Sequence, residues 1–392
     1  GPRAAEEQTA FHADLARSWA GGGPWLLMEQ SAGTINTGPR VVAKAPGQMA
    51  RHSLGHVARG SRGAMFFQWR AARGGSEQYH SALVPHAGAD TRVFREVCAL
   101  GDLLGRPTEV DGAAVEAPVA ILWDAEAWWG LLGPGLPSTE LSYLDQLYAV
   151  HRVLWRAGVT ADFVAPGDDL SGYRLVLAPS LYLISDADAE SVRRYVDGGG
   201  HLMVWYFSGI VDQDAQVRTG GHPGAFRTVL GVRVEEFHPL AGPLPLASGA
   251  TGRTWSEHVH LTGAEAVDSY AAGPLAGLPA VTRNQHGAGT AWYVSTGLDD
   301  VDLAPLVATA AAAAGVRSAL ASATGAPHPD LPPDVEVVLR RRGADRWLFA
   351  LNHGETPVTL PVTGTDLITG TLVEAPLSLA AGAVTLLRLA PS

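Results

Sequence analysis

The sequence contains a single cysteine, Cys98, among 392 residues. One thiol cannot form an internal disulfide or supply a thiolate metal cluster, so both are excluded. No stretch reaches the roughly 18 apolar residues that a transmembrane helix needs. Residues 1–7 lack the apolar core of a secretory signal. These absences predict a cytoplasmic protein, with Cys98 packed on the apolar face of a helix.

Positive charge is also scarce. The chain has 28 Lys and Arg against 39 Asp and Glu, which gives a formal net charge of −11. This charge repels polyanions at long range, so we expect neither nucleic acid nor a membrane as a partner, and a neutral ligand fits better. Hydrophobic residues make up 46% of the chain, which is enough for the cores of two or three domains.

Nucleotide-binding and serine-hydrolase motifs are missing. The sequence contains no G-x-G-x-x-G, no Walker loop and no G-x-S-x-G elbow. The glycine run 198–200 follows a helical pattern rather than a strand, so it predicts the end of a helix and not a phosphate-binding loop. We therefore expect no nucleotide and no other cofactor.

Helical and strand patterns alternate in the first hundred residues. Short apolar runs predict buried parallel strands at 24–30 and 63–69, and a long loop follows at 70–89. Apolar spacing predicts three helices, over residues 6–19, 48–59 and 92–104. This order is typical of βα units of a (β/α)8 barrel, in which reactive groups lie at the carboxyl ends of the strands. We assign residues 1–110 to such units.

The remainder of the chain shows two further patterns. Strands and helices alternate over residues 117–325, which predicts an α/β domain with a doubly wound sheet. The expected strands are 119–123, 160–164, 175–179, 201–206 and 291–295, and the expected helices are 141–157, 186–196 and 304–315. After a proline-rich linker at 328–333, short alternating strands predict a small antiparallel β domain over 334–392.

Two carboxylates occur where the predicted barrel strands end. Glu29 lies at the carboxyl end of the first strand, and Glu77 lies in the loop after Trp69. Glycoside hydrolysis needs such a pair, with one carboxyl as acid and the other as nucleophile or base. Loops of neighbouring parallel strands lie within reach of each other, so this pairing is one hypothesis. A strand-end salt bridge is the alternative for Glu29.

Histidines occur at two spacings that metal sites also use. Glu77 and His80 form an E-x-x-H pattern, but a further ligand and a regular helix are not evident. His52 and His56 lie four apart on one helix, but the glutamate of H-E-x-x-H is missing. We expect no metal at either place. Hydrogen bonding to sugar hydroxyls suits the first pair better, and a packed or solvated helix face suits the second.

Several motifs resemble those of the glycoside hydrolase family 42 β-galactosidases. In chain order they are Trp25-Leu26-Leu27-Met28-Glu29-Gln30-Ser31, Pro39-Arg40, Lys44-Ala45-Pro46-Gly47, Phe66-Phe67-Gln68-Trp69-Arg70, Glu77 with His80, and Pro85-His86-Ala87-Gly88. That family carries a (β/α)8 barrel, then a flavodoxin-like (glutamine amidotransferase-like) domain that builds a trimer, then a small β domain. The resemblance implies this architecture, and a homotrimer, for the present chain.

The resemblance also implies roles for individual residues. Glu29 would be the nucleophile of a retaining enzyme that releases terminal β-D-galactose through a galactosyl-enzyme intermediate. Glu77 and His80 would hold sugar hydroxyls, and Phe67 would line the galactose site. Glu77 then binds ligand instead of acting as the partner acid.

Two departures from the family pattern stand out. Thr37, after Asn36, occupies the place of a family tryptophan that forms one wall of the sugar site. These residues contain no counterpart of the strand that carries the family's Asn-Glu acid/base pair. They also contain no counterpart of the family's cysteine-ligated zinc loop. We therefore expect the C-terminal part of a β-galactosidase without the acid/base half of the barrel. A non-catalytic trimerisation fragment is the main alternative, and a sugar-binding remnant is a third.

Overall fold

A computed structural model describes residues 2–34, 39–327, 331–374 and 376–390. Asn36 and Thr37 lie outside the described residues. Contacts divide the chain into two compact units, each with helices and strands. The first unit comprises 1–116, 155–160 and 318–392, and the second comprises 117–154 and 161–317. None of the described helices is long and apolar enough to cross a membrane.

The first segment of the chain contains three α-helices, a short 3-10 helix and three strands. Its elements are α1 (Pro2–Trp19), β1 (Trp25–Ser31), α2 (Gln48–Ala58), β2 (Ser61–Phe67), α3 (Arg92–Leu104), a short 3-10 helix (Pro107–Val110) and β3 (Ala114–Val115). β1 and β2 pair in parallel. The hydroxyl of Thr91 accepts a hydrogen bond from the Phe94 N–H and caps α3. The expected order of helices and strands in this segment is confirmed.

The expectation that both strands are buried is wrong. On β1, Leu26 and Met28 are 44% and 67% exposed, and Met65 on β2 is 46% exposed. The opposite face is covered, because Phe66 packs against a core formed with Met49 of α2 and Leu100 of α3. A short apolar run identifies a strand, but it does not show whether both of its faces are covered.

Cys98 is exposed, so its predicted packing is also wrong. The residues of α3 that pack inward are Val93, Val97, Leu100 and Leu104. These positions form one stripe at helical spacing, and Cys98 lies beside that stripe.

The second segment forms a seven-stranded mixed sheet with helices. Its elements are β4 (Val119–Leu122), α4 (Ala125–Leu131), α5 (Tyr143–Arg156), β5 (Ala161–Val164), β6 (Leu175–Ala178), α6 (Asp186–Asp197), β7 (His201–Trp205), α7 (Arg227–Leu230), β8 (Val232–Pro239), β9 (Leu244–Pro245), β10 (Thr251–Arg253), β11 (Trp255–Leu261), β12 (Glu265–Ser269), β13 (Pro279–His286), β14 (Gly289–Val294), β15 (Gly297–Leu298) and α8 (Asp300–Ala313). The strand order is β12-β13-β14-β7-β6-β4-β5. β14, β7, β6, β4 and β5 run parallel, and β12 and β13 are antiparallel.

Every strand and helix expected in this segment occurs within a few residues of its expected place. The antiparallel strands β8 to β13 had no counterpart in the sequence prediction. β8 and β11 pair as a separate antiparallel ribbon, and β9, β10 and β15 form a small three-stranded sheet.

The last segment is rich in antiparallel strands. Its elements are α9 (Ala319–Thr324), β16 (Val335–Arg342), β17 (Asp345–Asn352), β18 (Val358–Leu360), β19 (Gly364–Asp366), β20 (Leu372–Val373), β21 (Leu377–Leu379) and β22 (Val384–Arg388). The main sheet has the order β20-β19-β22-β17-β16-β3, so β3 from the first segment adds an edge strand to it. β18 and β21 form a second pair. The β-rich character predicted for this segment is confirmed.

Candidate active site

Glu29 lies near the carboxyl end of β1, on the face that the helices leave uncovered. The next residue, Gln30, faces α2, where its side-chain amide donates to the Ser53 hydroxyl at 3.2 Å. Successive side chains of a strand point to opposite faces, so Glu29 projects away from α2. Its side chain is exposed. The pairing with β2 is irregular between Leu27 and Gln30, and such bulges re-aim side chains next to functional sites.

Phe67 ends β2 on the same face. It is the register partner of Ser31, two residues beyond Glu29, and partners in a parallel pair share a face. The Phe67 side chain is 36% exposed. The ring of His80 packs edge-on against the ring of Phe67, with 6.0 Å between centroids and an interplanar angle of 90°. The structure therefore brings together two of the residues that the sequence singled out.

Glu77 belongs to the same turn as His80. The His80 N–H donates to the Glu77 carbonyl at 2.9 Å, and the Glu77 side chain is exposed. Within the described part of the chain, neither Glu29 nor Glu77 forms a salt bridge. The alternative interpretation of Glu29 as a strand-end salt bridge therefore has no observed partner. Both carboxyl groups face solvent.

Hydrogen bonds fix the loop after β2 against the segment after β1. The Ser81 hydroxyl accepts from the Gly33 N–H, and the Ser81 N–H donates to the Thr34 carbonyl, both at 2.8 Å. Further along, the Leu83 N–H donates to the Gln68 carbonyl, also at 2.8 Å. These contacts hold the Glu77–His80 turn beside the carboxyl ends of both strands.

Sequence reasoning missed three residues in this region. The Lys44 ammonium donates to the Ser31 carbonyl at 2.7 Å, at the end of β1. Burial lowers the pKa of Lys44 to about 8, and the nearby Glu6 carboxylate opposes the shift. Trp69 and Tyr79, in the segment that follows Phe67, are 65% and 67% exposed, so they offer aromatic surface to solvent. Lys44 and Trp69 both lie inside the motifs that carried the family resemblance, which is the signal that could have identified them.

The histidines of α2 form contacts with other parts of the first unit. His52 pairs with Glu6 of α1 at 2.6 Å. His56 is buried and lies edge-on to Trp25, with 5.8 Å between ring centroids. Burial lowers the pKa of His56 to about 4. These contacts favour the packed helix face among the alternatives for the pair.

The site combines carboxylates, an imidazole and aromatic rings at the carboxyl ends of two parallel strands. This arrangement is typical of α/β proteins that bind their ligands at that edge of the sheet. The comparisons with known proteins narrow that class. Residues 2–106 match the sequence model for β-galactosidase of glycoside hydrolase family 42, residues 117–317 match the β-galactosidase trimerisation domain, and residues 334–389 match the β-galactosidase C-terminal domain. The chain belongs to this family.

Individual relatives agree with this assignment. The β-galactosidase of an Arthrobacter species is 46% identical over 93% of this chain and 51% of its own length. The β-galactosidase of Heyndrickxia coagulans is 40% identical over 88% of this chain and 52% of its own length. The crystal structure of the β-galactosidase from Bacillus circulans sp. alkalophilus superposes with a TM-score of 0.92 at 32% identity, over 98% of this chain and 58% of that one. The chain thus spans about half the length of the curated relatives it matches.

Proposed function

We propose that this chain is part of a retaining β-galactosidase that releases terminal β-D-galactose from β-galactosides, with Glu29 as the nucleophile. The observation that carries the proposal is the exposed carboxylate of Glu29 at the carboxyl end of β1, on the face that it shares with Phe67. The matches to β-galactosidases over most of the chain support the substrate class.

The proposed chemistry begins with attack of a Glu29 carboxylate oxygen on the anomeric carbon of galactose. The bond to the aglycone oxygen breaks as the galactosyl ester forms, and water later hydrolyses that ester with net retention. Phe67 supplies an apolar surface for the sugar ring, and Glu77 and His80 supply polar groups for its hydroxyls. Under this proposal, the acid/base belongs to the part of the relatives' length that this chain does not span.

We also propose the domain architecture that the family matches imply. We assign residues 1–110 to barrel units, 117–325 to a flavodoxin-like domain and 334–392 to the C-terminal β domain. Numbered along the chain, the parallel strands β4, β5, β6, β7 and β14 lie in the order 2-1-3-4-5, which supports the flavodoxin-like assignment. The trimerisation-domain match supports a homotrimer. A cytoplasmic location agrees with the single cysteine.

Covalent trapping tests the nucleophile directly. The probe is a dinitrophenyl β-galactoside with fluorine in place of the hydroxyl next to the anomeric carbon. Dinitrophenolate leaves without protonation, so trapping does not depend on an acid/base, and the fluorine slows hydrolysis of the ester. We expect mass spectrometry to find the fluorogalactosyl group on the peptide that contains Glu29.

Matched variants make this result specific. Glu29→Gln is expected to abolish labelling, and Glu96→Gln, at a glutamate of α3 in an ion pair with Arg92, is expected to retain it. If nitrophenyl β-galactoside is also hydrolysed, Glu29→Ala is expected to reduce the rate by about 10³-fold or more. Labelling at another residue, or unchanged labelling of Glu29→Gln, would contradict the assignment.

A second candidate function is a non-catalytic trimerisation fragment. The match of residues 117–317 to the trimerisation domain favours it, because this region alone makes up half of the chain. A folded trimer that the probe does not label at all would support this alternative over the proposal.

A further inference from the structure

Two histidines and a glutamate converge on the solvent face of the β8–β11 ribbon. His258 and His260 are two residues apart on β11, so their side chains point to the same face. Their rings stack with 4.5 Å between centroids. Glu235 lies on β8, and its Oε2 is 2.5 Å from Nε2 of His260.

The pairing of the two strands explains why Glu235 lies there. Val259 pairs with Val234, but Glu257 pairs with Phe237, so β8 has one extra residue opposite His258. A bulge of this kind places two successive residues on one face, and Glu235 and Glu236 are both exposed. The bulge therefore presents the Glu235 carboxylate beside the two imidazoles.

Potential ligand atoms of Glu235, His258 and His260 all lie within 4.8 Å of one another. We propose that these three residues form a binding site for a divalent transition-metal ion of the Zn²⁺ type. Two imidazole nitrogens and one carboxylate oxygen are ligands of the kind that Zn²⁺ takes, and three protein ligands leave a position for water. The site lies on the ribbon of the second unit, and it does not depend on the proposed function of Glu29.

One neighbouring charge opposes the ion. The Arg233 guanidinium is 3.3 Å from the same Oε2 of Glu235 and is the register partner of His260. Its positive charge repels a divalent cation and competes for the carboxylate. This contact provides a discriminating variant, because Arg233→Ala is expected to strengthen metal binding.

The test is calorimetric titration of the full chain with ZnSO4, using tag-free protein that has been stripped with a chelator. We expect one ion per chain at this site. Replacement of bound Zn²⁺ by Co²⁺ is expected to give the visible absorption of a four-coordinate site. Glu235→Gln and His260→Ala are each expected to weaken binding about 10-fold or more, because a ligand is lost.

His238→Ala is the matched control. His238 lies on β8 with Nε2 at 3.3 Å from the Glu236 carboxylate, and it is outside the cluster. We expect its affinity to equal that of the unmodified chain, and we expect all variants to keep the unmodified melting temperature in chelator. The proposal is overturned if the unmodified chain does not bind Zn²⁺. It is also overturned if a His258→Ala, His260→Ala double variant binds Zn²⁺ equally well, or if His238→Ala loses as much affinity as His260→Ala.

Discussion

Glu257 is a fully buried carboxyl group in the second unit. Trp255 donates to it from Nε1 at 2.9 Å, and the Tyr293 hydroxyl lies 2.5 Å from its other oxygen. Burial raises the pKa of Glu257 to about 7, and these hydrogen bonds, with one from the Phe207 backbone, oppose the rise. The group therefore retains its proton in the folded chain at a pH where the unfolded chain has lost it.

This shift predicts a pH dependence of stability. The pKa rises from 4.5 to about 7, so within that window the folded chain binds more protons than the unfolded chain. The free energy of unfolding should then fall with rising pH, by about 3 kcal/mol in total from this group. Glu257→Gln removes the ionisable group, so it should flatten this part of the profile.

Urea unfolding at about pH 5, near the lower end of the window, and at about pH 8, above it, measures most of this effect. The comparison is the difference between the unmodified chain and Glu257→Gln at each pH. Glu265→Gln serves as the control, because Glu265 is exposed and pairs with Arg283. Equal pH profiles for the unmodified chain and Glu257→Gln would contradict the prediction.

At the scale of elements, a buried ion pair within the first unit joins β16 to Arg59, the residue that follows α2. The Arg59 guanidinium donates to Glu336, whose other carboxylate oxygen is 2.8 Å from Nε2 of His353. Burial alone would raise the pKa of Glu336, but Arg59 and His353 lower it to about 2. The two elements are held together by charges that have almost no access to water.

Glu336→Gln is expected to destabilise the chain by about 3–5 kcal/mol near neutral pH, because the buried Arg17 and Arg59 cations would then share one carboxylate, Asp14, and one buried positive charge would be uncompensated. The sign of the pH effect is opposite to that of Glu257. The Glu336 contribution is complete above its usual pKa of 4.5 and is lost as the pH falls towards about 2.

Denaturant unfolding of Glu336→Gln beside Glu109→Gln checks this expectation. Glu109 also pairs with an arginine, Arg388, but at a partly exposed position, so its loss should cost only about 0–1 kcal/mol. Equal effects of the two substitutions would show that burial does not set the strength of the Arg59–Glu336 pair.

The same elements show what the sequence could and could not predict. α3 has the predicted bounds, because a regular apolar stripe follows the Thr91 cap. β11 was missed because the inward position between Trp255 and Val259 is a carboxyl-bearing residue, Glu257, which interrupts the apolar alternation. No local sequence pattern could predict that Arg59 and Glu336 pair, because they are 277 positions apart.

The candidate site likewise has residues that the sequence could predict and contacts that it could not. Glu29 and Phe67 lie at strand ends, where a periodic pattern and a family motif both point. The contact of His80 with Phe67 depends on a loop that Ser81 ties to Gly33 and Thr34. Long-range hydrogen bonds of this kind produce no periodic pattern in a sequence, so the position of His80 could not be predicted from it.

At the scale of the whole molecule, the proposed homotrimer makes a prediction about an exposed apolar surface of the second unit. Trp129 of α4 and Leu132 at its end are 62% and 69% exposed, and they lie three residues apart on one face of the helix. Large exposed aromatic and aliphatic groups that lie together mark surfaces that bind other proteins. Residues 117–317 match a trimerisation domain, so we expect a further copy of this chain to cover them.

Analytical ultracentrifugation should therefore give a species of three times the 41.0 kDa chain mass. Trp129→Ala is expected to shift the equilibrium towards smaller species by about 2 kcal/mol or more, because truncation of a central aromatic residue removes much of the binding energy. Val301→Ala is the control, since Val301 is 84% exposed on another helix, α8. A monomer at all concentrations would contradict the trimer. If Trp129→Ala has no more effect on the trimer than Val301→Ala, the interface lies elsewhere on the second unit. The exposed Trp129 would then be available to a different partner.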